Sequence, residues 1–254
     1  MSQFQKWVIL PDIHAPLHNE EAIVPVLDFI KDYKPNGIIQ LGDLCDFNSL
    51  SRFEKNREEE LVSLLTEINS ANEILDRIDA ALPKSCKRVL LEGNHDARPT
   101  RFRLNRWTAQ TQDILGMSRL GDFHELFHLR KRGWEWKNYG QCYGVGKALF
   151  THGWFVGSYH ASKTLKRWFK SIYYGHTHTY QAHTVLGMDG LPVSATSLGT
   201  LSRFDLPYLN GVPPADWINM FCHIEFFNNG QFTPHPIPII KGRFVTNGKY
   251  YSSK

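Results

Sequence analysis

Cysteine is scarce in this chain: four among 254 residues, Cys45, Cys86, Cys142 and Cys222, with no Cys-x-x-Cys pair. That spacing offers neither a disulfide framework nor a thiolate zinc site, so packed, reduced thiols are expected. No run of 18 apolar residues occurs, and the first apolar run, Trp7 to Leu10, is too short for the core of a signal peptide. The expectation is a cytoplasmic protein that does not engage membranes. Repeats, low-complexity tracts and linkers are missing too, which predicts one domain over residues 1–254. An excess of one charge is also lacking: 29 Lys and Arg against 25 Asp and Glu give +4, compatible with a polyanionic partner without requiring one. A hydrophobic content of 42% excludes disorder. What the chain does have is histidine, twelve in all.

Short apolar runs, each followed by a small polar loop, alternate with helical patterns, which is the signature of βαβ units and an α/β fold. Strands are predicted at Trp7–Leu10, Gly37–Leu41 and Arg88–Leu91. A helix is predicted from Glu20 to Tyr33, capped by Asn19 and kinked or delayed by Pro25. Leu61, Leu64, Leu65, Ile68, Leu75, Ile78 and Leu82 recur at helical spacing and predict a long amphipathic crossover over Glu58–Leu82. Beyond residue 130 the pattern is β-rich, with strands expected at Trp134–Tyr139, Lys147–Thr151, Ile172–Tyr174, Gln181–Leu186, Leu191–Ala195 and Met220–Phe227. Ser197–Trp217, with its three prolines, reads as an excursion over the surface.

Five polar clusters fall where strands end: Asp12-Ile-His14, Gly42-Asp43-Leu-Cys-Asp46, Gly93-Asn94-His95-Asp96, Thr151-His152-Gly153 and Gly175-His176-Thr-His178. Loops at the carboxyl ends of strands converge on one crevice, so these groups become neighbours in space. Imidazoles with Asp and Asn oxygens suit Mn, Fe or Zn better than Ca or Mg, and seven such donors suffice for two ions. The glycines before Asp43, Asn94 and His176 would let the backbone turn tightly.

In this order, the clusters resemble the blocks of the calcineurin-like metallophosphoesterase superfamily: Asp-x-His, Gly-Asp-x-x-Asp, Gly-Asn-His-Asp/Glu, His and Gly-His-x-His. The resemblance is carried by residues 7–180; the β-rich part, 181–254, is similar in general layout to bacteriophage and prophage members. A phage-encoded chain would act in the host cytoplasm. The resemblance implies a β-sandwich flanked by helices in four layers, αββα. It also implies roles. Asp12, His14 and His178 would hold one divalent ion and Asn94, His152 and His176 a second, with Asp43 bridging them. Mn is the first choice, with Fe, Zn, Ni or Co as alternatives. His95 would be the acid facing the leaving group, and Asp46 would orient its ring. Such a pair of ions neutralises a phosphate ester and ionises a bridging water.

Protein-phosphatase members of that family carry Arg directly after the second Asp of the second block, where this chain has Phe47. The missing clamp argues against a Ser/Thr phosphatase, and Phe47 would offer a stacking surface to a base or aromatic leaving group. Arg98, Arg101, Arg103 and Arg106, interleaved with Phe102 and Trp107, follow the third cluster and would border the phosphate cleft. Together these favour a phosphodiesterase acting on DNA, RNA or nucleotides. The alternatives are a phosphomonoesterase of a small metabolite and a catalytically silent binding module on the metal scaffold. Lys163, Lys166, Arg167 and Lys170 form one basic helix face, with Leu165, Trp168 and Phe169 turned inward. Asp96 reads as the cap of the following helix, Cys45 as a packed thiol, and Ser202 and Arg203 as residues within reach of substrate.

Overall fold

The computed structural model describes residues 4–51, 62–106, 122–206, 209 and 214–253, with the side chains of 103–106 outside the described set. β1 (Phe4–Leu10), β2 (Gly37–Gln40), β3 (Lys87–Leu91) and β4 (Trp134–Lys137) run parallel, and β10 (Met220–Phe227) and β11 (Phe232–Pro238) extend the sheet antiparallel beside β1. The resulting order is β11-β10-β1-β2-β3-β4. A second sheet has the order β5-β6-β7-β9-β8, from β5 (Tyr143–Val145), β6 (Ala148–Thr151), β7 (Ser171–Tyr174), β8 (Gln181–Leu186) and β9 (Pro192–Ser197).

Alternation along the strands makes this a sandwich. Trp7 and Ile9 of β1, Ile39 of β2 and Val89 and Leu91 of β3 share one buried cluster with Phe150 and Tyr173 of the second sheet. Their neighbours Val8, Leu10, Ile38 and Leu90 turn to the opposite face, under α1 (Glu20–Tyr33) and α2 (Leu64–Ala81). On the outer face of the second sheet, Ile172, Tyr174 and Ala195 pack under Leu165 of a helix at His160–Trp168. The layers are therefore αββα, each buried aliphatic side chain contributing about 1.5–3 kcal/mol.

Several local expectations change. Asn19 caps α1 as expected, its side chain accepting from the Glu21 amide, but the helix runs through Pro25 without interruption. α2 starts at the Ser63 cap, while residues 58–61 of the predicted crossover lie outside the described set. β11 was not expected because Pro234, Pro236 and Pro238 punctuate it. It is an outer strand, where alternate N–H groups face away from the ladder, so proline at every second position is tolerated there.

The first part of the segment after Ser197 does not pass over the surface, whereas Arg203, Asp205, Ala215 and Asp216 are exposed. Leu198, Thr200, Leu201 and Ser202 are fully buried. Thr200 bridges the backbones of Asp12 and Asn219, and its hydroxyl bonds Ser202 Oγ at 2.8 Å, so Ser202 is not available to a substrate. Arg203 is exposed and lies 3.4 Å from Asp205. Phe169, expected inside, ends its helix in a left-handed conformation and is 75% exposed, whereas Leu165 is buried and Trp168 stacks on Trp154. Among the described residues, no helix is long and apolar enough to cross a membrane.

Candidate metal centre

The five loops lie together where β1, β2, β3, β6 and β7 end. Two groups of potential ligands result, Asp12, His14 and His178 in one and Asp43, His152 and His176 in the other, and a further group, His14, Asp46 and His95, overlaps the first at His14. In the first, His14 Nε2 and His178 Nε2 are 3.0 Å apart, and His178 Nε2 is 3.1 Å from Asp12 Oδ2. In the second, His152 Nε2 is 2.8 Å from Asn94 Oδ1 and 3.3 Å from Asp43 Oδ2. Asp43 Oδ2 also lies 3.7 Å from His14 Nε2, which puts this carboxylate between the groups.

The hydrogen bonds behind the ligands decide which atoms face inward. His152 Nδ1 meets the carbonyl of Leu41 at 3.0 Å and must carry hydrogen. Its Nε2 then turns a lone pair toward the oxygens of Asn94 and Asp43, three acceptors aimed at one another. Only a cation or a proton makes that arrangement favourable, so the donor set fits a divalent metal. His14 is fixed the same way: Nδ1 meets Asp46 Oδ1 at 2.8 Å, leaving Nε2 for the cluster. The backbone amide of His176 donates to Asp12 at 2.9 Å, and that of His95 to Asp43 Oδ1 at 2.8 Å.

Local strain is concentrated here. Of the ten described non-glycine residues with positive φ, four are in this set: His14, Asp43, His176 and His178. Each costs about 1–3 kcal/mol, sustained by the surrounding bonds. Gly42 has φ +106, but Gly93 and Gly175 serve differently: a Cβ there would overlap Asp43 Oδ1 and Asp12 Oδ1 respectively. These glycines leave room for a carboxylate more than they supply a turn.

Charge follows from contact. Burial pushes the Asp12 and Asp43 carboxyls up, but the histidines around them outweigh it and hold both below the ordinary range. Asp46 is held low likewise, by His14 and His95 against burial. Burial disfavours charge on His152, yet Asp43 and its other carboxylate neighbours lift it to about 9. His176 is pushed down to about 4, first by burial and then by the His152 cation.

Other site expectations divide. Asp46 supports His95, whose Nδ1 lies 3.0 Å from Asp46 Oδ1 and 2.9 Å from its carbonyl, but the same Oδ1 also holds His14. Asp96 is no helix cap: buried, it accepts from the amides of Gly93, Leu44 and Cys45 and ties the second loop to the third. Burial, then the charge of Asp43, raises its carboxyl to about 7. Cys45 is packed. Phe47 presents nothing to a substrate; it is fully buried and packs on Phe127 with ring centroids 6.0 Å apart.

The cation missing from position 47 arrives from elsewhere. Arg98, at the start of α3 (Arg98–Arg106), donates to the carbonyls of Asp46 at 2.9 Å and Phe47 at 3.3 Å, and its Nη2 lies 3.2 Å from His95 Nε2. A guanidinium therefore stands beside His95 although position 47 is Phe. Arg101 extends over the ring of Tyr139, 4.9 Å from its centroid, and Tyr139 lies 6.3 Å from the ring of His152. Arg101, Tyr139, Glu92 and Trp136 line a cavity of about 460 Å³ beside the cluster. The side chains of Arg103 and Arg106, and all of Trp107, lie outside the described set.

The family model of calcineurin-like phosphoesterases matches residues 6–191. The "Gene 54 protein" of Mycobacterium phage L5 is 26% identical over 276 residues, covering 96% of this chain and 97% of that protein. The protein of the same name from Mycobacterium phage D29 is 26% identical over 260 residues, with 95% and 96% covered. Among solved structures, Vacuolar Protein Sorting 29 from Cryptosporidium parvum superposes with a TM-score of 0.49 at 11% identity, covering 98% of this chain and 95% of that one.

Proposed function

The chain belongs to the calcineurin-like phosphoesterase family, and on that premise we propose that it hydrolyses phosphodiesters of nucleic acid or nucleotides with two divalent transition-metal ions, Mn first among them. Asp12, His14 and His178 would hold one ion, Asn94, His152 and His176 the other, with Asp43 shared. When bound, the ions neutralise the ester and activate water as a nucleophile. The rest is done by the chain. Asp46 accepts a hydrogen bond from His95 Nδ1–H and leaves Nε2 as the nitrogen that faces the leaving oxygen. Arg98 donates to that Nε2 in the metal-free chain, so Nε2 is unprotonated there; a substrate would draw the guanidinium onto the phosphate and free Nε2 to take a proton from solvent and pass it to the leaving oxygen. The mycobacteriophage relatives support a phage origin and a site of action in the host cytoplasm. The pairing of β10 with β1 supports reading the whole chain as one domain.

The observation that carries the diester preference is the cavity of Glu92, Arg101, Trp136 and Tyr139, joined to the second ligand group through Tyr139, whose ring centroid lies 6.3 Å from that of His152. A monoester has nothing to place there; a diester has a second substituent, and an aromatic wall with a guanidinium suits a nucleoside. Arg98 favours the second reading, because a cation beside the acid also suits a terminal phosphate. The test compares bis-p-nitrophenyl phosphate, p-nitrophenyl phosphate and short oligonucleotides on the Mn-loaded protein, with Arg101→Ala and Tyr139→Ala alongside. The diester reading expects higher kcat/KM for the diester and a selective loss of oligonucleotide cleavage in both variants. Preference for the monoester, with the variants affecting no substrate, would contradict it.

A further inference from the structure

A second group of ligating side chains lies away from the strand-end cluster, on the outer face of the large sheet. His223 and Glu225, two apart on β10, point to the same face. His235 of β11 is directly opposite His223 in the ladder, its ring stacked on that of His223 with centroids 4.5 Å apart. His223 Nδ1 lies 3.2 Å from Glu225 Oε1, and His235 Nε2 lies 2.6 Å from Glu225 Oε2. The first separation matches the edge of a tetrahedron of ligands about 2.0–2.1 Å from an ion.

The surroundings fit as well. His223 Nε2 is 3.1 Å from Thr246 Oγ1, a contact that fixes the ring with Nδ1 facing Glu225 Oε1, where an ion would take the place of the shared hydrogen. Tyr33 of α1 donates its hydroxyl to Glu225 Oε1. His223 is buried, while the side chain of His235 is 41% exposed and opens a path from solvent.

We propose that His223, Glu225 and His235 form a further divalent-metal site for a borderline cation such as Zn2+, which clips β11 and β10 to each other. Two imidazoles and one carboxylate select Zn2+ over Mg2+ or Ca2+.

Zn2+ per chain is measured after chelation, reloading and removal of free ion, in the wild type, His235→Ala and Glu225→Gln. The expected result is one ion fewer per chain in each variant, a smaller Zn2+-dependent rise in Tm, and unchanged hydrolysis of bis-p-nitrophenyl phosphate. Should one variant fail to fold by circular dichroism, the other decides. Equal stoichiometry in wild type and variant would overturn the proposal. So would an ion lost together with activity, because that ion would belong to the strand-end cluster.

Discussion

Arg98 Nη2 donates to His95 Nε2 across 3.2 Å, joining the first turn of α3 to the residue assigned the leaving-group proton. Turned onto a bound phosphate, the same guanidinium would make a charged hydrogen bond of about 1.5–3 kcal/mol. Arg98→Ala is therefore expected to lower kcat/KM by roughly 10- to 100-fold on ester substrates, as steady-state kinetics would show. A larger loss with p-nitrophenyl phosphate than with its diester would instead make Arg98 the clamp of a terminal phosphate.

His95→Ala is expected to retain both metal ions and lose rate in proportion to the basicity of the leaving group, by about 10²–10⁴ for an alkoxide and much less for p-nitrophenolate. The measurement is a series of aryl and alkyl esters of increasing leaving-group pKa. A uniform loss across the series would remove His95 from the proton transfer.

How far these roles were readable before the fold was known differs from residue to residue. Asp12, His14, Asp43, Asn94, His152, His176 and His178 sit at fixed short spacings after strand-like runs, so their convergence follows from one topological rule. Trp7 and Val8 face opposite sides of the sheet, which alternation predicts. Arg98 was legible only as a basic residue near the cleft, because its approach to position 47 depends on how α3 leaves the third loop. Phe47 was misplaced since sequence distance from Asp46 says nothing of side-chain direction at a left-handed residue. The buried path of Thr200 and Ser202 was hidden because polar residues enter a core once their hydrogen bonds are met inside it. β11 was masked by prolines acceptable only on an outer strand.

Metal loading should release protons. In the metal-free chain His152 titrates at about 9, above its ordinary 6.5, so at neutral pH it carries a proton that an ion must displace. Apparent affinity is expected to rise with pH up to about 9, and calorimetry in buffers of different ionisation enthalpy should show proton release at pH 7. The sign for folding is opposite: a raised folded pKa stabilises the metal-free chain below 6.5, and that contribution is lost as pH rises toward 9. Affinity independent of pH between 6 and 9 would contradict this.

Asp43→Asn removes the charge between the two ligand groups while keeping a side chain of similar shape. The expected outcome is fewer Mn ions per chain by elemental analysis and turnover lowered with them. Full occupancy in the variant would show that Asp43 is not shared.

The central claim, hydrolysis dependent on the Asp12–His178 cluster and its divalent ions, is tested most directly by turnover of bis-p-nitrophenyl phosphate in chelator-stripped protein before and after Mn2+ is returned. No hydrolysis is expected without metal, and recovery with Mn2+ should exceed that with Mg2+, because the imidazoles favour the transition metal. Undiminished hydrolysis in the presence of chelator would contradict it.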